Sequence, residues 1–222
     1  MMITLYHVPQ SRSMRVLWLL NELEVEYRLV EMPFDGSLGT EEFLTRSPAG
    51  RVPALEIEGE RMFESGAMVE YLCERFPERG IGRLPGAMDR MAWLVWVHFA
   101  ETLSQHVAAL TQQHIVLAPE DRSAAVMRIE VAHLHQCYAA IEARLSTPVE
   151  NRDYLLTGGY SAADICVGQA VYMARHFAPL DDYPEATAWF ERIAERQSYQ
   201  DALPGDAANC MFAQPFYPAP GE

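Results

Sequence analysis

The stretch FLTRSPAGRVPALEIEGERMFESGAMVEYL, residues 43–72, decides how this chain folds. Pro53 stands at the mouth of an alternating run, VPALEIEGERMF, which reads as a hairpin turning at Glu58-Gly59-Glu60. Proline cannot donate to a strand ladder, so Pro53 belongs at the strand's first position or on an edge. A cis Val52-Pro53 bond would turn the N–H and C=O of Val52 outward, where an extended peptide ligand can pair with them. Glu64-Ser65 then opens a helix through Phe76, with Ser65 expected at its N-cap. A helix start carries free N–H groups and partial positive charge, so it receives a carboxylate, and Glu64 beside it suits an ammonium. Together they match an α-amino-acid head group. Taken alone, an ordinary trans proline and a plain serine cap account for the same residues.

Outward from this stretch, the first eighty residues alternate element types. Ile3–His7 reads as a strand, and Met14–Leu23 as a helix with Val16, Leu17, Leu19, Leu20 and Leu23 on one face. Tyr27–Met32 completes a βαβ unit. A short helix around Glu41–Thr45 leads into the SPAG turn. PERGIGRLPGAM, residues 77–88, is rich in proline and glycine and marks a boundary, giving domains 1–77 and 89–222 joined by a linker at 78–88. Beyond it the apolar spacing is helical, about Asp89–Gln113, Asp121–Leu145, Ser161–Arg175 and Tyr183–Arg196, before an irregular tail. In YSAADI, residues 160–165, Ser161 with Asp164 forms a capping box and Tyr160 with Ile165 a hydrophobic staple, so Asp164 is structural.

The 222 residues are 50% hydrophobic, enough for a sizeable core. A formal charge of −14 repels nucleic acid and anionic membranes, and no segment reaches the length of a membrane span, so a cytoplasmic protein is expected. Cys73, Cys137, Cys166 and Cys210 lie far apart and read as free thiols, not a redox pair. His133 and His135 stand two apart on a helix and do not face each other, and no metal site is expected.

The order βαβ, X-Pro before a hairpin, Glu-Ser opening a helix, linker and helical half resembles the glutathione S-transferase superfamily, of a bacterial, serine-type, theta-like kind. SPAGRVPAL, FESGAMVEYL and YSAADI carry the likeness, which covers nearly the whole chain. It implies an N-terminal thioredoxin-like βαβαββα domain followed by a C-terminal all-helical domain. It also implies glutathione as co-substrate, a hydrophobic electrophile, detoxification chemistry and a homodimer. By position, Arg51, Val52, Pro53, Glu64 and Ser65 become the glutathione-binding residues, with Arg51 on the glycyl carboxylate.

The resemblance places thiol activation in the loop Pro9–Ser13. A free thiol has a pKa near 8.5, and bringing it near 6.5 takes roughly 2.7 kcal/mol of thiolate stabilisation. Ser11 and Ser13 are the candidate hydroxyl donors, with Tyr6 a third, and Arg12 and Arg15 are nearby cations. Ser13 also fits the first helix's N-cap. The loop holds no cysteine, which argues against transfer through a protein thiol. Trp93, Trp96, His98, Phe99, Leu103 and His106, with the tail around Phe212–Tyr217, are candidates for the electrophile wall. A maleylacetoacetate isomerase-like activity and a non-catalytic binding module are the alternatives.

Overall fold

The computed structural model describes residues 2–148, 151–205 and 208–220. The chain divides into two compact units, Met1–Ala87 with Glu195–Met211, and Met88–Ala194 with Phe212–Glu222. A single cut at residues 78–88 would place 195–211 with the helices, whereas that segment belongs with the first unit.

The first unit holds β1 (Ile3–His7), α1 (Met14–Glu22), β2 (Arg28–Glu31), α2 (Glu41–Leu44), β3 (Ala54–Ile57), β4 (Glu60–Met62), and α3 (Ser65–Arg75). The strand order is β2-β1-β3-β4, with β2 parallel to β1 and the other two pairings antiparallel. This is a thioredoxin-like domain. The hairpin turns where expected, because Glu58 and Gly59 both take positive φ, 52° and 90°, as a tight primed turn requires. Gly50 ends the SPAG turn at φ 62°, where an added Cβ would stand 3.1 Å from the carbonyl oxygen of Leu38. Gly82 sits so close to Cys73 that a Cβ would come within 2.5 Å of that residue's own, so the linker packs on α3.

α1 is buried on every side from Met14 to Leu20, not on one face alone. What covers it includes a return of the chain, α8 (Gln197–Gln200). Trp18 Nε1 donates to Ser198 Oγ at 3.1 Å, Asn21 Nδ2 donates to the Ser198 carbonyl at 3.1 Å, and Glu22 pairs with Arg196. These contacts explain why 195–211 closes the first unit.

The second unit is helical: α4 (Arg90–Thr111), α5 (Ala124–Ser146), α6 (Ala162–Ala174) and α7 (Pro184–Ala194). α5 begins three residues later than the apolar spacing suggests, because Ser123 caps it by accepting from Val126 N–H. α6 is buried almost throughout and packs on α4 and α7. Its capping box is formed as expected between Ser161 and Asp164. Tyr160, expected to staple onto Ile165, sets its ring edge-on to Tyr154. Cys73, Cys137 and Cys166 are buried free thiols and Cys210 is an exposed one. Among the described residues no helix is long and apolar enough to cross a membrane.

Candidate functional site

The Val52-Pro53 peptide is cis, and the N–H and C=O of Val52 have no hydrogen-bond partner among the described residues. Around it lies an open cleft. Arg12, Ser47, Ala49, Arg51, Val52, Pro53, Phe63, Glu64 and Ser65 line it. The fold therefore gathers all five of the expected binding residues in one place.

Ser65 differs from expectation in one respect. Glu64 holds the N-cap position of α3 at φ 76°, ψ 103°, and Ser65 is the first helical residue, with no capping bond from either side chain. Such a φ is costly for a residue with a side chain, on the order of 1–3 kcal/mol, and residues held this way cluster at functional sites. The Glu64 carboxylate is exposed and unpaired among the described residues. Ser65 Oγ is instead buried and accepts from Arg15 Nη1 at 3.3 Å, so a fully buried guanidinium lies behind the helix start. That cation adds to the dipole in favouring an anion here.

The loop before α1 holds the hydroxyls. Ser13 was a candidate side-chain cap, but it stands in helical conformation and caps nothing. Its oxygen lies 2.6 Å from Ser11 Oγ and 2.8 Å from His7 Nδ1, and accepts from Val8 N–H at 3.1 Å. Ser11 Oγ in turn accepts from Ser13 N–H at 3.2 Å. Ser11 is 7% exposed and Ser13 is wholly buried, so only Ser11 retains an edge toward solvent. Ser11 does not itself line the cleft, whereas its neighbour Arg12 does. Tyr6 is removed from contention, since its hydroxyl accepts from Arg46 Nε at 2.9 Å and donates to Glu56 at 3.3 Å.

His7 is the residue that sequence reasoning missed. The alternation Ile3, Leu5, His7 places it on the buried face of β1, and that periodicity is the signal that could have found it. Burial pushes its pKa down to about 4, so the imidazole is neutral at pH 7. A histidine held neutral in the fold contributes stability above its unfolded value of 6.5 that is lost as pH falls toward about 4. The loss expected between pH 7 and 4.5 is about 2 kcal/mol. Urea unfolding at both pH values should show this drop in the native protein and a flatter profile in His7→Gln; parallel profiles would reject it.

The electrophile-wall candidates lie in varied settings. Trp93 and Leu103 are buried, Trp96 and Phe99 form an edge-on ring pair, His98 is exposed, and His106 Nδ1 bonds Glu130. In the tail, Phe212 and Tyr217 are buried against Phe177.

A thioredoxin-like domain with this cleft, followed by a helical domain, defines the class. The chain belongs to the glutathione S-transferase superfamily: residues 5–80 match the glutathione S-transferase N-terminal domain and residues 105–197 the C-terminal domain. It is 31% identical to glutathione S-transferase 4 of Zea mays over 82% of both chains. It is 29% identical to the disulfide-bond oxidoreductase YfcG of Escherichia coli (strain K12), over 91% of this chain and 94% of that one. The glutathione transferase URE2P8 from Phanerochaete chrysosporium, crystallised with oxidized glutathione, shares the fold with a TM-score of 0.80 at 24% identity, over 90% and 92% of the two chains.

Proposed function

We propose that this protein is a glutathione transferase that ionises the glutathione thiol at Ser11 and directs the thiolate at an electrophilic carbon or a peroxide oxygen. The observation that carries this is the hydroxyl chain Ser11–Ser13–His7 in a glutathione S-transferase fold whose cleft gathers Arg51, Val52, Glu64 and Ser65. In this reading Val52 pairs with the cysteinyl backbone of glutathione, as an added strand pairs with a sheet edge. Glu64 takes the γ-glutamyl ammonium, and Ser65, the α3 N-terminus and Arg15 take its carboxylate. Arg51 takes the glycyl carboxylate.

In this reading the loop's hydrogen bonds run from His7 toward Ser11, with the Ser13 hydroxyl turned to Ser11 at 2.6 Å and not to the more distant Val8 carbonyl at 3.3 Å. The Ser13 hydroxyl has one proton, and its oxygen already accepts from Val8 N–H. If neutral His7 carries its proton on Nδ1, it donates to Ser13 and Ser13 donates to Ser11, whose own hydroxyl is the donor proposed for the thiolate. Ser11 is then the catalytic residue, and Ser13 and His7 are positioning residues. Catalysis is thiolate stabilisation and placement, with the helix dipole adding to the hydroxyl.

The same thiolate is chemically competent to attack a disulfide sulfur, and the likeness to a disulfide-bond oxidoreductase makes that the second reading. Comparing turnover of an activated aryl halide, a hydroperoxide and a mixed disulfide separates the two. The protein is further proposed to work in the cytoplasm, where its free thiols stay reduced, and as a homodimer; a monomer mass at micromolar concentration would reject the latter.

Glu64 and Ser65 hold a part of glutathione remote from the reacting sulfur. Glu64→Ala and Ser65→Ala should therefore raise KM for glutathione by roughly ten- to a hundredfold, the equivalent of about 1.5–3 kcal/mol per charge-assisted contact, with kcat changed far less. Steady-state kinetics at varied glutathione measures this, and unchanged KM in both variants would reject the assigned cleft.

A further inference from the structure

α4 and α5 bring together three side chains that the proposed reaction does not use. His106 Nδ1 on α4 lies 2.6 Å from Glu130 Oε2 on α5. His133 follows Glu130 by three residues, on the same face of α5, and its ring centroid is 4.8 Å from that of His106. One donor atom from each of the three lies within 4.8 Å of the others. The His106–Glu130 hydrogen bond accounts for those two residues but leaves His133 unexplained. Its Nδ1 is buried with no hydrogen-bond partner among the described residues, an uncommon and costly state for a polar atom in a native fold.

We infer that His106, Glu130 and His133 form a binding site for a divalent transition-metal ion of the zinc class. Two imidazoles with one carboxylate suit zinc, cobalt or nickel, and not magnesium or calcium, which take oxygen ligands. Donors bound at 2.0–2.2 Å around a tetrahedral ion stand about 3.4 Å from one another. His106 and Glu130, now 2.6 Å apart, need to part by under an ångström, and the remaining separations, at most 4.8 Å, need to close by no more than about 1.5 Å. The lone pairs of His106 Nδ1 and Glu130 Oε2 already converge, since they share a proton in the hydrogen bond. All three residues are partly exposed, so an ion can enter and water can fill the fourth position. The net charge of −14 raises the local concentration of cations.

The spacing rule that dismissed His133 and His135 tested the wrong pair. Glu130-x-x-His133 is the half-site on α5, and its partner comes from another helix.

The test is titration of the metal-free, full-length Cys210→Ser protein with Co²⁺, read by its visible absorption, followed by displacement with Zn²⁺. Removing the exposed Cys210 thiol excludes thiolate ligation. The expected result is one ion per chain, displaced by Zn²⁺ and not by Mg²⁺, with affinity reduced at least tenfold in His133→Ala and in Glu130→Gln and retained in His135→Ala. The unfolding midpoint should rise with Zn²⁺ in the Cys210→Ser protein and stay fixed in His133→Ala. Glu130→Gln keeps side-chain volume, so its loss of binding reports ligation and not collapse of the helix pair. Absence of a saturable cobalt spectrum, binding that survives both His133→Ala and Glu130→Gln, or binding lost in His135→Ala would overturn the assignment.

Discussion

Replacing Ser11 with alanine should raise the pKa of bound glutathione and lower kcat at neutral pH by tenfold or more, while affinity for glutathione should barely change. Each tenfold corresponds to about 1.4 kcal/mol of lost thiolate stabilisation. In the proposed reading the hydroxyl acts on the sulfur alone, so uniform binding through the cleft should be retained. Ser13→Ala behaves differently from a lost cap. It strips the partner from Val8 N–H and from His7 Nδ1, both in buried surroundings, at a stability cost of about 1–3 kcal/mol. On the proposed proton chain it also removes the donor to Ser11, so the bound thiol pKa should rise part of the way. His7→Gln should fall between native and Ser13→Ala. A pKa that moves with Ser13 and not with Ser11 would reverse the two roles. One that moves with neither would leave activation to the backbone amides.

The largest stability effect is expected at Asp164. Its side chain is fully buried and accepts from Leu155 N–H at 3.0 Å, Ser161 N–H at 2.9 Å and Trp189 Nε1–H at 2.9 Å. One carboxyl thereby joins the start of α6, the segment before it and α7. Asp164→Ala leaves three buried donors without an acceptor, and the expected loss is about 3–5 kcal/mol, a large share of a typical domain's 5–15. Asp164→Asn keeps one acceptor oxygen and should lose less. Denaturant unfolding followed by far-ultraviolet circular dichroism measures both. A loss below about 1 kcal/mol in Asp164→Ala would show that α6 does not depend on this box.

Local rules were enough wherever a residue's partner lies nearby in sequence. The hairpin was legible because period-two alternation flanks Glu58-Gly59, and the α6 cap because Ser161 and Asp164 are three apart. Ser13 shows where local rules fail. A serine before a helix reads as a cap, yet a histidine six residues earlier on β1 competes for its hydroxyl and wins. Ser65 was misread for a related reason, since Arg15 reaches it from fifty residues away and Glu64 takes the cap position with a backbone angle that no propensity foretells. The apolar spacing runs the last helix on to Arg196, whereas α7 ends at Ala194 and the short α8 begins at Gln197, and only Trp18, Asn21 and Glu22 show which unit α8 joins. His106 with Glu130, 24 residues apart on two helices, lay beyond any single-helix pattern.

The most direct test of the central claim is the thiolate absorbance of glutathione bound to the unmodified protein, followed across pH. The account predicts a bound thiol titrating near pH 6.5, about two units below the free thiol, and therefore mostly ionised at pH 7. A bound thiol that titrates near 8.5, or protein that shows no glutathione-dependent band at saturating ligand, would contradict it.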